Sequence, residues 1–111
     1  MKVTITSILL KSPFHFFSLS YKALGILKQL KESGAVQAET TGIWTLHYTI
    51  SLWKNEEEMK AFALSGNHLQ AMKDSKKIAK TISTYTYDAE QIPNWKTAKS
   101  LLNEKGKRLH F

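Results

Sequence analysis

The chain has 111 residues with 42% hydrophobic content, enough for about one domain that buries roughly two thirds of its unfolded surface, so a single domain over 1–111 is expected. The absence of cysteine excludes a disulfide framework, a thiolate nucleophile and any metal site built on sulfur, and it points to a cytoplasmic location. The net charge of +7 comes almost wholly from lysine, with Arg108 the sole arginine; base readout and bidentate phosphate gripping favour arginine, so no nucleic-acid partner is expected.

No apolar run approaches the ~20 residues of a membrane span. Residues 2–11 alternate as a first strand, with Val3, Ile5, Ser7 and Leu9 on one face and Thr4, Thr6, Ile8 and Leu10 on the other. Pro13 ends it, and the apolar Phe14, His15, Phe16 and Phe17 are expected to pack over a sheet end. Leu19, Ala23, Ile26, Leu27 and Leu30 then recur at the spacing of one buried helical stripe, which predicts a helix over 19–33 stopped by Gly34.

A short strand over 35–41 and a turn at Thr41 and Gly42 lead into a long alternating strand over 43–53, the pair forming a hairpin. The long strand places Trp44, Leu46, Tyr48, Ile50 and Leu52 on a dry face. Ile43, Thr45, His47, Thr49, Ser51 and Trp53 form a second face of mixed polarity, suited to a cavity wall. Asn55 is a good N-cap, Glu56, Glu57 and Glu58 complement the helix dipole, and Met59, Phe62 and Ala63 face inward.

Ser65 and Gly66 interrupt that helix before a second helical stretch over 67–80, with Leu69, Met72 and Ala79 inward. Whether the interruption is a hinge is open at this point. Lys73, Lys76, Lys77 and Lys80 fall on one face of the stretch; a solvated helix surface is the simpler reading and an anion-binding surface the alternative. Residues 81–88 read as a fourth strand, with Ser83, Tyr85 and Tyr87 opposite Ile82, Thr84 and Thr86. Pro93 starts a last helix carrying Trp95, Ala98, Leu101 and Leu102 inward, Gly106 ends it, and a basic tail is expected to fray.

The order strand, helix, strand, strand, helix, strand predicts an α+β, ferredoxin-like βαββαβ sandwich with an extra C-terminal helix. Crossover helices are expected to cover the Leu46 to Leu52 face. The Thr, His and Trp face would then await a second copy of the chain, pairing as a homodimer around a cavity.

Within this frame Trp44, Thr45, Ser51, Leu52, Trp53, the acidic helix start at Glu56, Glu57, Glu58 and Met59, and Ala61, Phe62, Ser65, Gly66, His68, Ala71 and Met72 carry a resemblance. The stretch resembles the dimeric α/β-barrel superfamily of antibiotic-biosynthesis-monooxygenase type, including its spheroidene-monooxygenase-like members. The resemblance covers about a quarter of the chain. It implies a dimeric α/β barrel and a group whose activities range from cofactor-free oxygenation of polycyclic phenols to haem degradation and isomerisation. Where the haem degraders have an axial His this chain has Met72, where they have Trp it has Phe62, and Thr6 or Ser7 stands where an Asn is expected. No cofactor is therefore expected, with haem held by His68 as the alternative that the spheroidene-monooxygenase-like members imply.

The sequence contains no phosphate-cradling glycine loop, no supported Ser-His-Asp order and no paired carboxylates. The four histidines lie without a nearby carboxylate at ligand spacing, so no metal site is expected. His47 and His68 are the candidate bases, able to take a proton from a phenol or enol near neutral pH; hydrogen-bonded structural histidines are the alternative. Thr45, Thr49, Trp53, Phe62, Met72 and Tyr85 are the candidate pocket residues for a small planar apolar or aromatic ligand, or else core filling. The expected function is a monooxygenase-like protein, and the competing one is a non-catalytic ligand-binding or self-assembling dimer.

Overall fold

The computed structural model describes residues 1–12, 28, 34–43, 45–64, 73 and 77–110. Its elements in chain order are β1 (Lys2–Leu10), β2 (Gln37–Ile43), β3 (Leu46–Trp53), α1 (Glu56–Ala63), β4 (Ala79–Asp88), α2 (Trp95–Lys105) and β5 (Lys107–His110). The strands form one antiparallel sheet in the order β2-β3-β1-β4-β5. The N-terminal strand sits between β3 and β4, the ferredoxin-like arrangement expected for the α+β class. The predicted helix over 19–33 lies outside the described residues except for Lys28, which is helical.

Register assigns each residue a face. Val3, Ile5 and Ser7 pair with Leu52, Ile50 and Tyr48 on one side and with Tyr87, Tyr85 and Ser83 on the other. This face carries the main core, in which Val3, Ile5, Ile50 and Leu52 meet Ala98 and Leu102 of α2. The opposite face brings Thr4, Thr6 and Ile8 beside Ser51, Thr49 and His47. A smaller core of Ala38, Trp53 and Phe62, with Met59 against it, closes one end of that face.

The side covered by the crossover helix is the reverse of the sequence expectation. α1 follows β3 directly and lies on the Thr and Trp face, whereas the C-terminal helix takes the dry face. Because β3 and β4 both run antiparallel to β1, they are parallel to each other and α1 belongs to the crossover between them. The side to which such a crossover returns is selected by its handedness, which alternation does not encode. A second copy is therefore not needed to cover the Trp53 end of the polar face.

Three local boundaries also differ. The hairpin turn follows Ile43 and includes Thr45, with Gly42 paired to His47 and Ile43 to Leu46, so the long strand begins at Leu46. The expected second helical stretch ends at Ile78, and Lys80 stands on β4, which removes it from a single helical stripe with Lys73 and Lys77. The basic tail does not fray: residues Lys107–His110 pair with β4. Arg108 Nη2 donates to the carbonyl and to Oδ1 of Asn103, both at 3.0 Å, tying the strand to the helix before it.

Helix ends follow the sequence. Asn55 Oδ1 accepts from Glu58 N at 2.9 Å and Asn94 Oδ1 from Thr97 N at 2.8 Å, each cap contributing about 1 kcal/mol. Asn94 is the N-cap, so α2 starts two residues after Pro93. Gly34, at φ +96°, occupies a conformation that side chains rarely tolerate. Gly106 has extended dihedrals but lies so close to Leu102 that a Cβ would collide with its carbonyl oxygen. No helix among the described residues is long and apolar enough to cross a membrane.

Candidate functional site

Four strands supply the polar face on which the predicted base stands. Thr40, Thr49, Thr6 and Thr84 align across β2, β3, β1 and β4, and the neighbouring row is Ala38, Ser51, Thr4 and Thr86. Thr4 Oγ1 lies 3.1 Å from Thr86 Oγ1 and donates to Met59 Sδ of α1 at 3.0 Å. Thr40 Oγ1 donates to the carbonyl of Tyr48 at 2.9 Å. The face is therefore a hydroxyl surface with an apolar plug at one end. There, Trp53 is 1% exposed, gives its Nε1 proton to Ser51 Oγ at 3.0 Å, and meets Phe62 at a ring distance of 5.3 Å.

His47 stands at the other end of β3, six residues and about 20 Å from Trp53 at the rise of an extended strand. It is 6% exposed, and desolvation lowers its pKa below 6.5. Burial therefore favours the neutral imidazole near pH 7. The sign of this shift sets a pH dependence. Below pH 6.5 the unfolded chain takes up a proton that the folded imidazole resists, so its contribution to stability is full above pH 6.5 and declines as pH falls. Urea midpoints across about pH 5 to 8 should show that decline, and His47→Gln should flatten it; identical slopes in both proteins would assign the decline to other groups.

The remaining candidates divide. Thr49 is half-buried in the centre of the threonine row, between His47 and Trp53. Thr45 lies at the hairpin turn, where its carbonyl accepts from Leu10 N at 2.8 Å. Tyr85 is on the opposite face, opposite Ile5 and stacked on Tyr87 at 5.4 Å, so the sheet itself separates it from His47 and Trp53. His68 and Met72 lie outside the described residues. Among the described residues, no group of three or more His, Asp or Glu side chains could hold a metal ion.

A cleft of about 320 Å³ opens beside α2 on the dry face, lined by Ser7, Tyr48, Ser83, Lys99, Arg108 and His110 among others, and by none of the candidate residues. It was not legible from the chain. Its rim comes from β5, which reads as a loose basic tail, and its floor from two serines whose pairing across strands is a matter of register.

A proposed antibiotic biosynthesis monooxygenase from Deinococcus radiodurans superposes with a TM-score of 0.75 at 15% identity, covering 85% of this chain and 97% of that one. This chain has the antibiotic-biosynthesis-monooxygenase-like fold. Rv0793 from Mycobacterium tuberculosis is similar too, with a TM-score of 0.72 at 6% identity over 85% of this chain and 100% of the other. So is a conserved protein from Methanosarcina mazei Go1, at 0.71 and 13% over 80% and 92%. No family model matches the sequence, and no curated protein does. Likeness at such identities establishes architecture, whereas chemistry in a widely shared fold depends on the individual side chains.

Proposed function

We propose that the chain is a cytoplasmic, homodimeric monooxygenase-like protein that binds a small planar phenol between its sheet and helices and oxygenates it without a cofactor. The buried, neutral His47 beside the threonine rows carries this reading, because a general base must be unprotonated and partly withdrawn from water. His47 takes the phenolic proton, and Thr49 with its row neighbours offers hydroxyls to the substrate oxygen. The phenolate is electron-rich enough to reduce dioxygen itself, since a phenol and dioxygen balance to a quinone and water with no external reductant. Substrate positioning and exclusion of water fall to the protein.

The test is oxygen consumption with a panel of quinols and polycyclic phenols. His47→Ala should lower turnover by about 10²–10⁴-fold while circular dichroism shows the fold retained. Unchanged turnover would remove His47 as the base, and His68→Ala run in parallel would show whether the role belongs there.

A second reading, ligand binding or self-assembly without turnover, is favoured by the closed packing of Trp53 on Phe62, which occupies much of one end of the polar face. It is separated from the first by a thermal-shift screen with flat phenols, quinones and haem, read together with oxygen uptake. Stabilisation without uptake supports it. A Soret band in the purified protein would instead bring in haem, whose candidate ligand His68 lies outside the described residues.

A further inference from the structure

The cleft on the dry face has a composition that the main core does not need. Ser7 and Ser83, both nearly buried, pair across β1 and β4 and place two hydroxyls on an otherwise apolar floor beside Leu9, Leu46 and Tyr48. Lys99, Arg108 and His110 stand around it, and no acidic residue lines it among the described residues. The ion pairs of the described residues use other cations: the N-terminus with Glu90, Lys2 with Asp88 and Lys60 with Glu56. Two permanent positive charges therefore face one small concavity in which no carboxylate of the described residues neutralises them, which raises the local concentration of anions.

These cations are also held in place. Arg108 uses Nη2 on Asn103, and a guanidinium has further N–H donors to offer. Lys99 Nζ rests 5.0 Å from the centroid of the Tyr48 ring, so its position is tied to the apolar wall. His110 Nδ1 lies 3.2 Å from Thr81 Oγ1. At about 320 Å³ the cleft is at the small end of the range for ligand sites. Its floor matches a flat apolar body and its rim a single compact anion.

We propose that this cleft binds a small aromatic carboxylate, with the carboxylate between Lys99 and Arg108 and the ring over Leu9, Leu46 and Tyr48. The site is separate from the His47 face, from which the sheet divides it, and stands whether or not the oxygenase reading does.

The test titrates the ¹⁵N-labelled chain with 1-naphthoate and, in parallel, with the uncharged 1-naphthamide at pH 7. Naphthoate should bind with amide shifts clustered at Ser7, Ser83, Lys99 and Arg108. Naphthamide should bind there at least about tenfold more weakly, as expected for loss of a charge-assisted hydrogen bond. The double variant Lys99→Gln, Arg108→Gln should lose a similar factor for naphthoate and nothing for naphthamide, and His47→Gln should leave naphthoate binding unchanged. Equal affinity of the cleft for acid and amide in the unaltered chain would overturn the proposal even if the variants failed to fold. So would shifts clustered on the Trp53 face, no saturation at millimolar ligand, or a dimer in sedimentation that excludes naphthoate by filling the cleft with a second copy.

Discussion

Trp53→Ala is expected to lower the free energy of unfolding by about 3–5 kcal/mol, measured by urea denaturation. The ring is 1% exposed, it is the largest fully buried side chain among the described residues, and it is the piece of β3 against which Phe62 of α1 packs. Truncation removes that contact and opens a cavity beside Ala38. It also takes the Nε1 donor from Ser51 Oγ. Trp53→Phe restores most of the ring without the donor and should lose distinctly less. A loss below about 1 kcal/mol in Trp53→Ala would mean that α1 is anchored to the sheet by something other than this contact.

Ile50→Ala is expected to cost about 2–5 kcal/mol in the same measurement. Ile50 is fully buried in the centre of β3, beside Ile5 of β1 and under Ala98 and Leu102 of α2. Central strands have little room to collapse around a deletion, because neighbours on both sides are fixed by the hydrogen-bond ladder. Thr84→Ala, on the exposed outer part of the other face, is the matching control and should change stability by no more than about 0.5 kcal/mol. Comparable losses in the two variants would contradict the placement of the main core beneath α2.

The burial of Ile50 was legible in the sequence, whereas Trp53 reads there as pocket wall or core filling and is buried against Phe62 in the structure. The alternation of Val3, Ile5 and Ser7 and of Tyr48, Ile50 and Leu52 predicts a dry face, and these residues do share one. Asn55 with its three glutamates predicts the start of α1, and Asn55 caps it. The candidate site was legible only in part. His47 and Trp53 share the predicted face, but Tyr85 does not, because its parity on β4 does not fix its side relative to β3. Only the register through β1 does that, since Thr6, Thr49 and Thr84 must lie opposite one another before any residue of β4 can be assigned to a face. The cleft beside α2 depends on the same non-local information.

The sequence by itself determined what is local: the bodies of β1 to β4, α1 and α2, the caps at Asn55 and Gly106, and that the strands have two unlike sides. These properties follow from dihedral preference, capping and periodicity within a few residues. The tertiary structure decided which side α1 and α2 cover, that the tail Lys107–His110 becomes a fifth strand, and that Lys99 and Arg108 line one cleft with paired serines. Those outcomes are set by crossover handedness and cross-strand register, which join residues up to about a hundred positions apart and leave no periodic trace in the chain.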